Sequence, residues 1–206
     1  MQTNLRAKVA AALSTLSLTA CVSLITPHVE TGAVALKPGE YALDPDHAAL
    51  LFRVEHMGFS YFIGRFEHFE ASLDFDEADP TAARVEAIID MTSLDVANDE
   101  FAATLTGPNW FNASAYRQAV FRSTSIETTG ENTGRVTGEL TVHGVTAPVA
   151  LNVVFNGGGR DILRGAYVVG FSAHGTFDRA TFGVDRFSGV VGDQVEIEIE
   201  AEFLRK

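Results

Sequence analysis

The residues of this 206-residue chain best suited to chemistry are six histidines and one arginine-bearing loop. The histidines are His28, His47, His56, His68, His143 and His174. A helical zinc motif needs two of them a turn apart, and no pair has that spacing. His47 and His56 flank one strand-like run and His68 lies in the next, so a hairpin could bring them together. Hydrogen-bonded or exposed neutral histidine is the simpler reading, and no metal is expected. A nucleophile elbow would read Gly-x-Ser-x-Gly; Ser188-Gly189 lacks that pattern. Gly157-Gly158-Gly159 is not followed by the Lys-Ser/Thr of a phosphate loop and reads as a turn. The run Asp178-Arg179-Ala180-Thr181-Phe182-Gly183-Val184-Asp185-Arg186 is less ordinary. Arg179 and Arg186 could hold an anionic head group through paired N–H donors, or could close a sheet end by salt bridges. No catalytic constellation emerges, and no cofactor is expected.

The elements that must position these residues are almost all strands. From Tyr41 onward apolar residues recur at period two. Val195, Ile197, Ile199, Ala201 and Phe203 alternate with Glu196, Glu198, Glu200 and Glu202, giving one dry and one wet face. Eight strands are predicted, at 48–56, 63–76, 83–91, 118–127, 134–142, 147–156, 163–177 and 194–204. The parity breaks between Phe66 and Phe69, which predicts a bulge that re-aims the second strand. Turns are expected at Glu77–Pro80, Thr129–Asn132, His143-Gly144 and Asn156–Gly159. Asp95 and Asn98 are N-cap candidates before Asp99–Leu105, and Gly107-Pro108 is a stop, so one short helix is expected between strands three and four. The fold class is all-β: an eight-stranded antiparallel barrel, whose interior is either filled or holds one small ligand.

The N-terminus carries a different message. Arg6 and Lys8 precede an apolar run from Val9 to Ala20, too short for the roughly 20 residues of a membrane span. The run reads as a secretory signal peptide over residues 1–20. Leu18-Thr19-Ala20-Cys21 resembles a bacterial lipobox, in which the cysteine becomes the lipidated first residue. Cys21 is the only cysteine, so no internal disulfide can form. Residues 21–38 then form the lipidated Cys and a tether, and 39–206 the domain. Removing residues 1–20 leaves 13 basic against 27 acidic side chains, a net charge of −14. Such a chain repels nucleic acid. Fifteen phenylalanines are ample for one core and would suit an apolar cavity.

Three stretches resemble the opening of the YceI-like family: Tyr41-x-Leu43-Asp44-x-x-His47, Phe52-x-Val54-x-His56-x-Gly58-Phe59-Ser60 and Gly64-x-Phe66-x-x-Phe69. Leu140–Val149, Asp178-Arg179-x-x-Phe182-Gly183 and Val191-Gly192-Asp193-x-Val195-x-Ile197 agree in order. Tyr116-Arg117 departs from the family's Tyr-Pro, and Ala180-Thr181 from its common Ser-Asp. The resemblance implies a lipocalin-like barrel with an apolar channel for a long isoprenoid, such as a polyprenyl diphosphate or a quinone, or a similar amphiphile. On that expectation the channel residues are Phe52, Val54, Phe66, Phe69, Trp110, Phe111, Phe121, Phe155, Phe171 and Phe182. His47, His56, Arg179 and Arg186 are candidates for the mouth. The partners expected are the lipid ligand and, through Cys21, a membrane, with the protein periplasmic and sorted to the outer membrane. Oligomeric state stays open, a homodimer included. Two rivals remain. One is an enzyme or accessory factor of isoprenoid or quinone metabolism, with His47, His56 and an Asp gathered inside the cavity. The other is a filled barrel acting as an envelope interaction or stress module.

Overall fold

The computed structural model describes residues 29–31, 37–75 and 79–206. The predicted signal peptide, Cys21 and His28 lie outside them. The strands are β1 (Gly39–His56), β2 (Ser60–Phe66), β3 (Phe69–Phe75), β4 (Arg84–Asp90), β5 (Leu94–Asp95), β6 (Gln118–Thr128), β7 (Thr133–Val142), β8 (Val145–Asp161), β9 (Ala166–Asp178) and β10 (Val191–Arg205). Among the described residues one α-helix, α1 (Asp99–Thr106), sits between β5 and β6.

All pairings between these strands are antiparallel, and β1 pairs with β10 to close the sheet. β2 and β3 are two halves of one bent strand. β2 pairs with the later part of β1, from Leu50 to His56, and β3 with its start, from Gly39 to Ala42. With β5 a two-residue stub, the barrel is closed by eight staves. The predicted parity break is real. At the bend the N–H groups of Glu67 and His68 donate to Ser93, to its carbonyl and its hydroxyl, both at 3.0 Å. No backbone donor is left unserved there.

Several boundaries differ from the sequence expectation. β1 begins nine residues early, because residues 44–47 bulge outward against β10 and hide the alternation. Gly157-Gly158-Gly159 is strand, not turn; the turn lies at 162–165. The glycines serve a close approach instead. Glu30 and Gly158 exchange both backbone hydrogen bonds, at 2.9 and 2.8 Å. A Cβ on Gly157 would meet Val29 Cγ1 at 2.5 Å, and its φ is +139°. Part of the segment expected as a tether therefore lies against β8. The His143-Gly144 turn is as expected, with φ of 51° and 78°, the two positive values a tight hairpin needs.

For orientation, the upper end carries His56, the His143-Gly144 hairpin and the loop from Arg179 to Val190. The lower end carries Gly39 and the turns at 129–132 and 162–165. The core forms two collars. The upper one includes Phe121, Leu140, Leu151 and Phe182; the lower includes Tyr41, Phe75, Phe155 and Phe203.

Candidate functional site, an apolar channel through the barrel

The space inside the collars is open. A cavity of about 860 Å³ runs along the barrel, well inside the roughly 300–1,000 Å³ typical of ligand pockets. The five apolar residues of β10 predicted to face inward, Val195, Ile197, Ile199, Ala201 and Phe203, all line it, as does Val191. From Val191 to Phe203 a strand tilted in a barrel rises roughly 30 Å. Ile197, Ile199, Phe52 and Phe171 point inward yet are only partly buried, because they face this space. A filled barrel is thereby excluded.

The ten residues predicted for the channel, from Phe52 to Phe182, all lie on its wall. The helix adds two that the sequence reading missed, Phe101 and Leu105, one turn apart on the same face. Asn98 caps α1, its side chain accepting from Phe101 N at 2.9 Å. Phe101 meets Phe62 edge-on at 5.5 Å, Phe66 meets Phe111 at 6.2 Å, and Trp110 meets Phe187 at 6.0 Å. These aromatics roof the upper end.

Polar wall residues occur only toward the two ends. His56 and Arg179 belong to the upper end; Thr81, Glu127, Thr128, Glu131, Asn132 and Thr133 belong to the lower. Between them the wall is hydrocarbon.

The four predicted mouth residues do not form one group. Arg179 is 6% exposed. Its Nε donates to Gly192 O at 2.9 Å, and Nη1 to Val184 O at 2.6 Å and Arg186 O at 3.0 Å. Nη2 donates to Val191 O at 3.1 Å and pairs with Asp193 at 2.9 Å. All five N–H groups are used, so Arg179 ties the loop closed and has no donor for a head group. Arg186 is exposed, its guanidinium over Phe187 at 5.0 Å. His56 is at the upper rim. His47 is not on the wall at all. It sits on the β1 bulge outside the lower part of the barrel, so His47, His56 and an Asp are not gathered inside the cavity. His68 lies at the β2–β3 bend, apart from both.

His47 belongs to a charged cluster that no local spacing reveals. Its Nδ1 is 2.9 Å from Asp44 Oδ2. Arg164, 120 positions from Asp44, reaches the same oxygen at 2.8 Å, and its Nε reaches Asp161 at 2.7 Å. Glu202 Oε2 lies 2.7 Å from Arg164 Nη1, an ion pair. Asp44, His47 and Glu202 bring ligand atoms within 4.8 Å of one another, a spacing that suits a metal. The guanidinium occupies that position and is the cation of the cluster. Burial raises the Asp44 pKa, but hydrogen bonds from Arg164, His47 and Asp46 N outweigh it and hold the carboxyl below its usual value. Arg164 likewise holds Asp161 low.

A family model described as the YceI-like domain matches residues 41–203. The chain belongs to the YceI-like family. This YceI-like chain is 34% identical over 175 residues to a UPF0312 protein of Shewanella baltica, covering 84% of itself and 91% of the relative. A UPF0312 protein of Ectopseudomonas mendocina is 33% identical over 169 residues, covering 81% and 88%. Among solved structures, Burkholderia cenocepacia BcnA matches with a TM-score of 0.70 at 26% identity, over 78% of this chain and 98% of that one. The Campylobacter jejuni YceI protein matches at 0.64 and 25% identity, over 74% and 90%. A polyisoprenoid binding domain from Saccharophagus degradans matches at 0.59 with 15% identity, over 81% and 98%, which shows a shared barrel. Before β6, Arg117 pairs with Asp90 at 3.1 Å, and the Tyr116 ring lies 4.7 Å from that of His143.

Proposed function

We propose that this protein binds one long-chain isoprenoid or similar amphiphile in its channel and stores or carries it in the cell envelope, as a binding protein rather than an enzyme. The observation that carries the proposal is the unbroken hydrocarbon column between the two ends of the barrel. An extended carbon chain advances about 1.2 Å per bond, so roughly 30 Å accommodates about six isoprene units of four chain bonds each. Each buried CH₂ contributes about 0.8 kcal/mol before the costs of association, so a tail needs no special chemistry to be held.

Export and anchoring are part of the same proposal. Residues 1–20 direct secretion, and Cys21 carries the lipid in the periplasm, at the outer membrane. The segment at Glu30, nine positions after Cys21 in sequence, joins the lower end of β8. Cys21→Ala is expected to move the protein from the membrane to the soluble fraction; unchanged partition would reject the anchor.

The ligand proposal is tested by adding a polyprenol to purified protein and measuring the melting temperature. Free ligand at about 100 times Kd stabilises by about 2.7 kcal/mol, a rise of several degrees. No rise at any soluble concentration would reject it.

A further inference from the structure

Resting on the channel reading, we infer that the lower end is a head-group subsite that takes a neutral hydrogen-bonding head, such as an alcohol, quinol or amide, and rejects phosphate. Most of the polar wall residues lie at this end, where Thr81, Thr128, Asn132 and Thr133 meet the hydrocarbon column. Asn132 Oδ1 is shielded from solvent and has no hydrogen-bond partner among the described residues. Its backbone is fixed, since Asn132 O accepts from Phe155 N at 2.8 Å. A buried amide oxygen without a partner is unfavourable until something serves it. Turning the amide over exchanges an unserved acceptor for an unserved donor, and a hydroxyl serves either. Thr133 Oγ1 accepts from Thr129 Oγ1 at 3.0 Å, so its own proton remains to be given.

Charge points the same way. The cations on this wall, among the described residues, reduce to Arg179 at the far end, and every N–H of Arg179 is already bonded. Glu127 and Glu131 stand at the lower rim. Among the described residues of the wall at this end, a phosphate would meet two carboxylates and no cation. The upper end offers His56 among exposed apolar groups, Phe101 at 39% and Phe187 at 56%. That end suits the terminus of a tail. A head at the lower end also requires no polar group to cross the column, because the ligand enters tail first.

The test compares three probes of equal tail length, a polyprenol, its phosphate and the tail hydrocarbon, by fluorescence displacement from the full mature protein. Wild type is expected to prefer the alcohol to the phosphate by about tenfold or more, the size of one lost hydrogen bond. Asn132→Leu is expected to remove most of that preference and leave hydrocarbon binding unchanged. Because Asn132 helps form a turn, Glu131→Lys on the exposed rim is the second variant. It is expected to strengthen phosphate binding while the alcohol is unaffected. His56→Ala should change neither ratio. Equal binding of alcohol and phosphate by wild type, or a shift with His56→Ala and none with Asn132→Leu or Glu131→Lys, would overturn the subsite while leaving the channel intact. Failure of all three probes to bind would reject the channel reading itself, and the subsite with it.

Discussion

Arg179 has the fork geometry to grip an anion, and it grips the chain around it instead. The sequence shows the residue and not its acceptors, because four of its partners are backbone carbonyls, which carry no sequence signal. Its replacement therefore acts on stability. Arg179→Ala leaves four carbonyls, the buried Val184 O and three partly buried ones, and Asp193 without this donor, and is expected to lower unfolding free energy by about 3 kcal/mol in urea. Its effect on neutral and charged ligands should be equal; a selective loss of a charged ligand would return Arg179 to the binding site. Asp44 was legible only as part of a family-like run, since its partner Arg164 is distant in sequence. The depressed pKa values of Asp44 and Asp161 give stability that is present above the unfolded value near 3.9 and is lost as pH falls through their lower folded values. Asp44→Asn should be less stable at neutral pH, and its melting temperature should fall less than wild type's between about pH 4 and pH 2. Parallel curves would show that the cluster contributes nothing to the acid limb.

At the scale of elements, the regular parts were readable and the irregular parts were not. β10 alternates without interruption, and its five predicted inward residues all face the channel. The bend between β2 and β3 was readable because two aromatics fell out of phase. The 44–47 bulge was not, since polar residues there look like a loop. The three glycines of β8 looked like a turn because their cause, the segment at Val29 and Glu30, pairs from far away in sequence. Two experiments follow at this scale. Ile197→Asp places an unpaired charge on the dry wall and should unfold the barrel, whereas Glu198→Gln on the wet face should change stability by less than about 0.5 kcal/mol. Similar losses for both would mean the faces are reversed. Gly157→Ala forces a side chain toward Val29 Cγ1 and Glu30 O and onto a positive φ, at a cost of about 1–3 kcal/mol. Protease cleavage near residues 29–31 should accelerate in parallel.

For the molecule as a whole, eight closing staves could be counted from the sequence, but hollowness could not. An inward phenylalanine reads the same whether it meets another side chain or open space. The difference lies in how far opposite walls stand apart, which depends on strand tilt and stagger around the closed barrel. The polarity of the two ends was equally hidden, because it rests on the hairpin from Glu127 to Thr133, strand ends and turn together, which carries no motif. The channel makes its own demand on ligand length. Val54, toward the upper end, packs opposite Val195 on the wall. Val54→Trp should shorten the longest tail accepted without unfolding the protein. The most direct measurement is native mass spectrometry of the purified protein, with lipid extraction, on wild type and Val54→Trp side by side. One long-chain lipid per chain in wild type, replaced by a shorter one or by none in the variant, is the predicted result. Lipid-free wild type, or the same lipid at the same occupancy in both, would contradict a ligand held in the channel.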